Sequence, residues 1–104
     1  MGAIQAAIER ELLAWPGVEA APHRFGGVEF RLRGREIGHL HGDRLADLPF
    51  PLRIRDEVLA SGRAVPHHIL PGSGWVSCWI RGEADVANVV SLFRLQYDRV
   101  MARA

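Results

Sequence analysis

Apolar residues recur at three- and four-residue spacing near the start of the chain, where Ile4, Ile8, Leu12 and Trp15 form one stripe. Gln5, Glu9 and Arg10 fall largely elsewhere on the wheel, so residues 3–14 are predicted as a helix that Pro16-Gly17 ends. Residues 18–24 are read as a first strand, with Pro22 favouring an edge position. At Val28 the period becomes two. Val28, Phe30 and Leu32 point one way and Glu29, Arg31 and Arg33 the other, the pattern of a half-buried strand. Gly34 is the turn candidate, and residues 35–41 return as the next strand. Simple alternation puts Glu36, Gly38 and Leu40 on one of its faces and Ile37, His39 and His41 on the other.

Gly42 and Asp43 break that strand, and residues 44–50 read as a loop anchored by Leu45, Leu48 and Phe50. Pro51 suits the first turn of a helix running to about Ala60, stopped by Ser61-Gly62. Residues 64–69 are a predicted strand, followed by the tight connection Pro71-Gly72-Ser73-Gly74. Trp75 to Ile80 then alternates Trp75, Ser77 and Trp79 against Val76, Cys78 and Ile80, the clearest strand signal in the chain. Glu83 to Met101 reads as the closing helix, with acidic residues in its first turn and Val86, Val89, Val90, Phe93, Tyr97 and Val100 along one side.

The order α-β-β-β-α-β-β-α, without repeat or linker, implies an α+β fold: an antiparallel sheet of about five strands with helices packed mainly on one face. A length of 104 residues fits one domain, spanning 1–104, and a single core. The other sheet face is then left partly open. If Val28/Phe30/Leu32 and Val76/Cys78/Ile80 face the helices, Trp75, Ser77 and Trp79 lie on the open face, where Ile37, His39 and His41 join them.

Charge adds little to this picture. Thirteen basic residues, all arginine, against twelve acidic ones give a net charge of +1, which argues against a nucleic-acid partner. A single cysteine, Cys78, excludes an internal disulfide framework and reads as a buried thiol in an apolar run. No segment has the length of a membrane span, and the first residues lack a signal peptide's apolar stretch; a cytoplasmic location without membrane partner is the expectation.

The candidate chemistry lies in His39-Leu40-His41-Gly42-Asp43 and Pro66-His67-His68. Residues i and i+2 of a strand project to one side, so His39 and His41 can present two imidazoles to one ligand. Asp43, His67, His68, Trp75 and Trp79 complete the candidate ligand-binding set. His67 and His68 are adjacent, so in a strand only one of them reaches the groove; His23 reads as an edge-strand surface residue. A third ligand from His67, His68 or Asp43 would complete a zinc or iron site, but the spacing matches no strong metal signature and no cysteine partner is available, so no metal and no cofactor is assigned. Gly26-Gly27 and Gly72-Ser73-Gly74 read as turns rather than a flavin phosphate loop. Ser73 or Ser77 beside a histidine supplies the parts of a nucleophilic site without a nucleophile elbow. Structural hydrogen bonding by the imidazoles, and a homodimer formed over the tryptophans, are the alternatives to ligand binding.

Residues 35–43, the segment Leu45-Ala46-Asp47-Leu48-Pro49-Phe50-Pro51, and Pro66-His67-His68 followed by Ser73-Gly74-Trp75-Val76-Ser77 closely resemble the small bacterial proteins of the luciferase domain family. The closing Leu92-Phe93-Arg94-Leu95-Gln96-Tyr97 also looks like that family, and the resemblance runs over roughly residues 17–100. More distantly, Pro66-His67 through Ser77 and the last helix are similar to YjbR-like proteins, which implies a frataxin-like α+β arrangement. Glu9 and Glu11 are too few for frataxin-like iron binding. The His- and Trp-lined open face points to a small ligand- or protein-binding module; the resemblances imply, as alternatives, a metal- or oxygen-dependent enzyme using the histidine cluster and a YjbR-like nucleic-acid module.

Overall fold

A computed structural model describes residues 2–103. Three helices, α1 (Ala3–Leu13), α2 (Leu52–Ala60) and α3 (Val86–Met101), accompany six strands. These are β1 (Val18–Pro22), β2 (Val28–Leu32), β3 (Arg35–His41), β4 (Leu45–Pro49), β5 (Val65–Pro66) and β6 (Trp75–Trp79). They form one antiparallel sheet in the order β1-β2-β3-β4-β6-β5. The α+β architecture expected from the periodicity holds, with one strand more than the pattern announces.

That strand is β4, which the sequence suggests is a loop. It sits in the middle of the sheet between β3 and β6, and Leu45, Ala46, Asp47 and Leu48 are all buried. A strand covered on both faces carries no apolar–polar alternation, and Asp47 and Pro49 read as breakers. In return, β5 is shorter than the predicted strand over 64–69. Pairing stops at Pro66, and the chain turns through residues 67–70 before returning as β6.

The helix-side core gathers Ile8 and Leu12 from α1, Phe30, Leu40, Ala46, Leu48, Val76 and Cys78 from the sheet, Val58 from α2, and Val89, Leu92, Phe93, Tyr97 and Val100 from α3. Phe93 lies edge-on to Phe30, with ring centroids 5.4 Å apart. Glycine at 38 makes that approach feasible: a Cβ there would sit 2.6 Å from Phe93 Cε1, and the backbone φ of +153° is one that side chains rarely adopt. Arg33 and Gly34, both at positive φ (54° and 77°), close the two-residue β2–β3 hairpin as a type I′ turn requires.

The register of β3 decides what the open face can hold. A bulge between Phe30 and Arg31 leaves Ile37 without a partner, while Glu36 pairs with Arg31 and Gly38 with Phe30. Partners share a face, so Glu36 lies on the same side as Glu29, His39 and His41, and Ile37 joins the apolar core. Simple alternation had assigned Glu36 and Ile37 to the opposite faces. An extra residue in one strand reverses that parity.

Candidate functional site

Across the open face, Glu29, His39, Asp47 and Ser77 stand opposite one another on β2, β3, β4 and β6. Asp47 is the centre of this row and is wholly buried. Its Oδ1 accepts the Ser77 hydroxyl at 2.7 Å. Its Oδ2 faces four imidazoles: Nε2 of His39 and of His41 at 3.2 Å, of His68 at 3.4 Å and of His67 at 3.5 Å. Two segments far apart in sequence, His39-Leu40-His41 and His67-His68, thus aim their imidazoles at one carboxylate oxygen.

The fifth histidine of the chain belongs to the same cluster. His23, expected at the surface of an edge strand, stacks on His39 with ring centroids 3.9 Å apart and planes 17° from parallel. Its Nδ1 lies 3.0 Å from Glu29 Oε1. The adjacent pair His67 and His68 also departs from expectation, because both reach Asp47. Strand alternation does not apply to them: β5 has ended at Pro66, and His67 Nδ1 accepts the backbone N–H groups of Ile69 and Leu70 at 3.1 and 3.0 Å.

Asp43 stands apart from the imidazoles. Its Oδ1 accepts the Gln5 backbone N–H at 2.8 Å. The N-cap of α1 is Gly2, which has no side-chain oxygen, so Asp43 supplies from a distant loop the acceptor that an N-cap residue usually provides. Trp75 and Trp79 do lie on the open face. The Trp75 ring is 5.2 Å from His39 and 6.1 Å from His67, while Trp79, 44% exposed, is 6.0 Å from His68.

The histidines are electrostatically unlike one another. His39 gives its Nδ1 side to Glu36 Oε2 at 2.6 Å and its Nε2 side to Asp47. Burial alone would lower its pKa, but the bonds to Asp47 and Glu36 overcome that and raise it to about 9. His39 is therefore an imidazolium held between two carboxylates. Burial raises and the bonds from His39 and Ser77 lower the Asp47 pKa, to about 2 on balance. His41 moves downward, through burial and the neighbouring His39 charge, and His67 moves downward mainly through burial. At neutral pH the cluster thus sets a protonated imidazole beside an uncharged one, with ring centroids 4.8 Å apart.

Beside His41 the surface opens into a hollow of about 450 Å³, bordered also by Gln5, Asp43 and Arg44. His41 is the link between the cluster and that hollow. The serines offer no nucleophile: Ser77 is fully buried with its proton directed at Asp47, and Ser73 Oγ closes its own turn by donating to the Leu70 carbonyl. Cys78 behaves as expected of a buried thiol, its pKa raised by burial.

The family profile of the luciferase domain matches residues 34–96, well over half of the chain. The chain belongs to the luciferase domain family. No curated protein matches the sequence. The matched stretch of this luciferase domain runs from the β2–β3 turn into α3, so it contains Glu36, His39, His41, Asp47, His67, His68, Trp75 and Ser77. His23 and Glu29 lie before it. None of the helices among the described residues is long and apolar enough to cross a membrane.

The sequence pattern pointed to His39, His41, His67, His68, Trp75 and Trp79, and to Ser77 only as an open-face hydroxyl or nucleophile, but not to Asp47 or Glu36. One signal was available for Asp47: it is the sole charged residue in the run Leu45-Ala46-Asp47-Leu48-Pro49-Phe50. A carboxylate amid apolar neighbours on both sides is costly to bury without a partner, so its presence asks for one.

Proposed function

We propose that this domain is a small-ligand-binding module whose site is the histidine-lined open face, entered through the hollow beside His41. The observation that carries the reading is the convergence of all five histidines of the chain with Asp47 and Ser77. A fold needing only stability gains little from a buried ionised cluster, since apolar residues of similar volume are often at least as stabilising. Perturbed titratable groups gathered at one surface are characteristic of sites that act on something.

The surroundings fit a ligand of modest size. The hollow lies within the range of small-molecule sites, roughly 300–1,000 Å³. Trp75 and Trp79 offer aromatic faces at the cluster's margin, and His41 and His68 offer polar atoms less buried than those of His39 and Asp47.

Ligand-observed NMR with a panel of small aromatic acids and alcohols tests the reading, comparing the native chain with His41→Ala. His41 is at the cluster's edge, with a side chain 31% exposed, so the variant should keep its melting temperature and lose the binders. A panel with no binder to the native chain, binders fully retained by His41→Ala, or a large loss of stability in that variant would each count against the assignment.

A further inference from the structure

We propose that His39, His41 and Asp47 are the ligands of a divalent transition-metal ion, bound through the two Nε2 atoms and Asp47 Oδ2. The proposal rests on the open face being the ligand site and names what the centre of that site holds. The three donor atoms lie within 4.8 Å of one another, and each nitrogen is 3.2 Å from the oxygen. Ligands at usual zinc–nitrogen and zinc–oxygen bond lengths in a tetrahedral site are separated by about 3.4 Å. The two nitrogen–oxygen separations are therefore close to those of donors sharing one ion.

Hydrogen bonding alone does not account for the arrangement. A carboxylate oxygen has two lone-pair sites, and Asp47 Oδ2 faces four imidazole nitrogens at 3.2–3.5 Å. Some of these nitrogens must direct something other than an N–H at the centre. A cation that accepts lone pairs from the imidazoles and from Oδ2 at once removes the surplus.

The outer groups are arranged as metal sites require. Glu36 Oε2 takes the Nδ1 side of His39, which fixes the ring with a proton on Nδ1; the ion displaces the Nε2 proton of the metal-free imidazolium, and that nitrogen becomes the donor. Ser77 occupies Asp47 Oδ1, which leaves Oδ2, the oxygen the imidazoles face, as the coordinating atom. His67 is a supporting residue, not a ligand. Because its Nδ1 accepts two backbone N–H groups, its neutral ring carries the proton on Nε2, on the side that faces Asp47 Oδ2 at 3.5 Å. His68, at 3.4 Å from Asp47 and partly exposed, stands beside the positions a three-ligand site leaves open. Two imidazoles, one carboxylate and open positions suit Fe(II) and also accept Zn(II) or Co(II).

Cobalt(II) titration of chelator-treated protein tests the site. The native chain should bind one ion with the visible spectrum of nitrogen–oxygen coordination, and the ion should raise the melting temperature. His41→Ala and Asp47→Asn should each lose about 100-fold or more in affinity, since even outer-shell changes cost about 10–100-fold. His67→Gln should lose less than either and keep the spectrum. Elemental analysis of protein purified without chelator should find stoichiometric iron or zinc. Absence of saturable one-to-one cobalt binding, or binding unaltered in His41→Ala, overturns the proposal even if Asp47→Asn fails to fold. If the metal result fails while His41→Ala still loses the aromatic binders, the ligand site stands without its ion; metal binding with no binders found sinks only the latter reading.

Discussion

Replacing Asp47 by asparagine in the metal-free protein isolates the carboxylate's charge from its shape. The amide keeps an oxygen for the Ser77 hydroxyl, so the packing of the central strand is little altered. What disappears is the buried anion facing His39. The His39 pKa rises from its ordinary 6.5 to about 9 in the folded chain, equivalent to about 3 kcal/mol for the protonated ring. Glu36 shares that sum through its 2.6 Å contact. Asp47→Asn should therefore cost on the order of 2 kcal/mol at pH 7, a substantial part of a small domain's stability.

The sign of the pH dependence provides the sharper test. A raised pKa means that the stabilisation is fully present below 6.5 and is lost as pH climbs through about 9. The gap between native and Asp47→Asn proteins should accordingly be widest near pH 6 and shrink toward pH 10, where His39 is neutral in both. Urea unfolding at three pH values measures it, and histidine ¹⁵N shifts report the His39 protonation state directly. A destabilisation equal at pH 6 and pH 10 would refute the idea that Asp47 acts on a charged His39.

Two other substitutions probe the frame around the cluster. Gly38→Ala forces a methyl group against Phe93 and the Asp47 carbonyl in a backbone conformation unfavourable to alanine, and should cost about 2–3 kcal/mol or more in urea unfolding; a cost near zero would mean that the bulge does not fix this backbone. Asp43→Ala removes the acceptor for the Gln5 N–H and should cost about 1 kcal/mol, with faster amide exchange in the first turn of α1; unchanged exchange at Gln5 would remove its capping role.

Elements whose surroundings differ on two sides were legible from sequence. The helix α3, the strand β2 and the strand β6 each show an apolar side and a polar or open one, and all three form where the periodicity puts them. The strand β4 was illegible for the opposite reason: both its faces are buried, one by the helices and one by the imidazoles, so Leu45 to Leu48 show no alternation. The histidines were legible as a composition feature. Their common target was not, because Asp47 lies in β4 and the contacts of His23 and His68 with the cluster depend on turns rather than on strand period. Asp43 was grouped with the histidines because it follows His41 by only two residues, yet it lies beyond the end of β3 at His41 and turns toward α1.

The bulge in the β2–β3 ladder connects these observations. In a regular strand, residues three apart face opposite sides, and Glu36 could not reach His39. The unpaired residue Ile37 shifts the parity by one, so Glu36 and His39 share the open face and meet at 2.6 Å. The same shift sends the Ile37 side chain into the core, where its burial offsets part of the cost of interrupting the ladder. Glycine at 38 lets the backbone make the turn while Phe93 closes over it. One inserted residue thus ties the apolar core on one side of the sheet to the orientation of His39 on the other. A change on the helix side at Gly38 or Phe93 should then be felt at Glu36 and His39, although neither touches the open face.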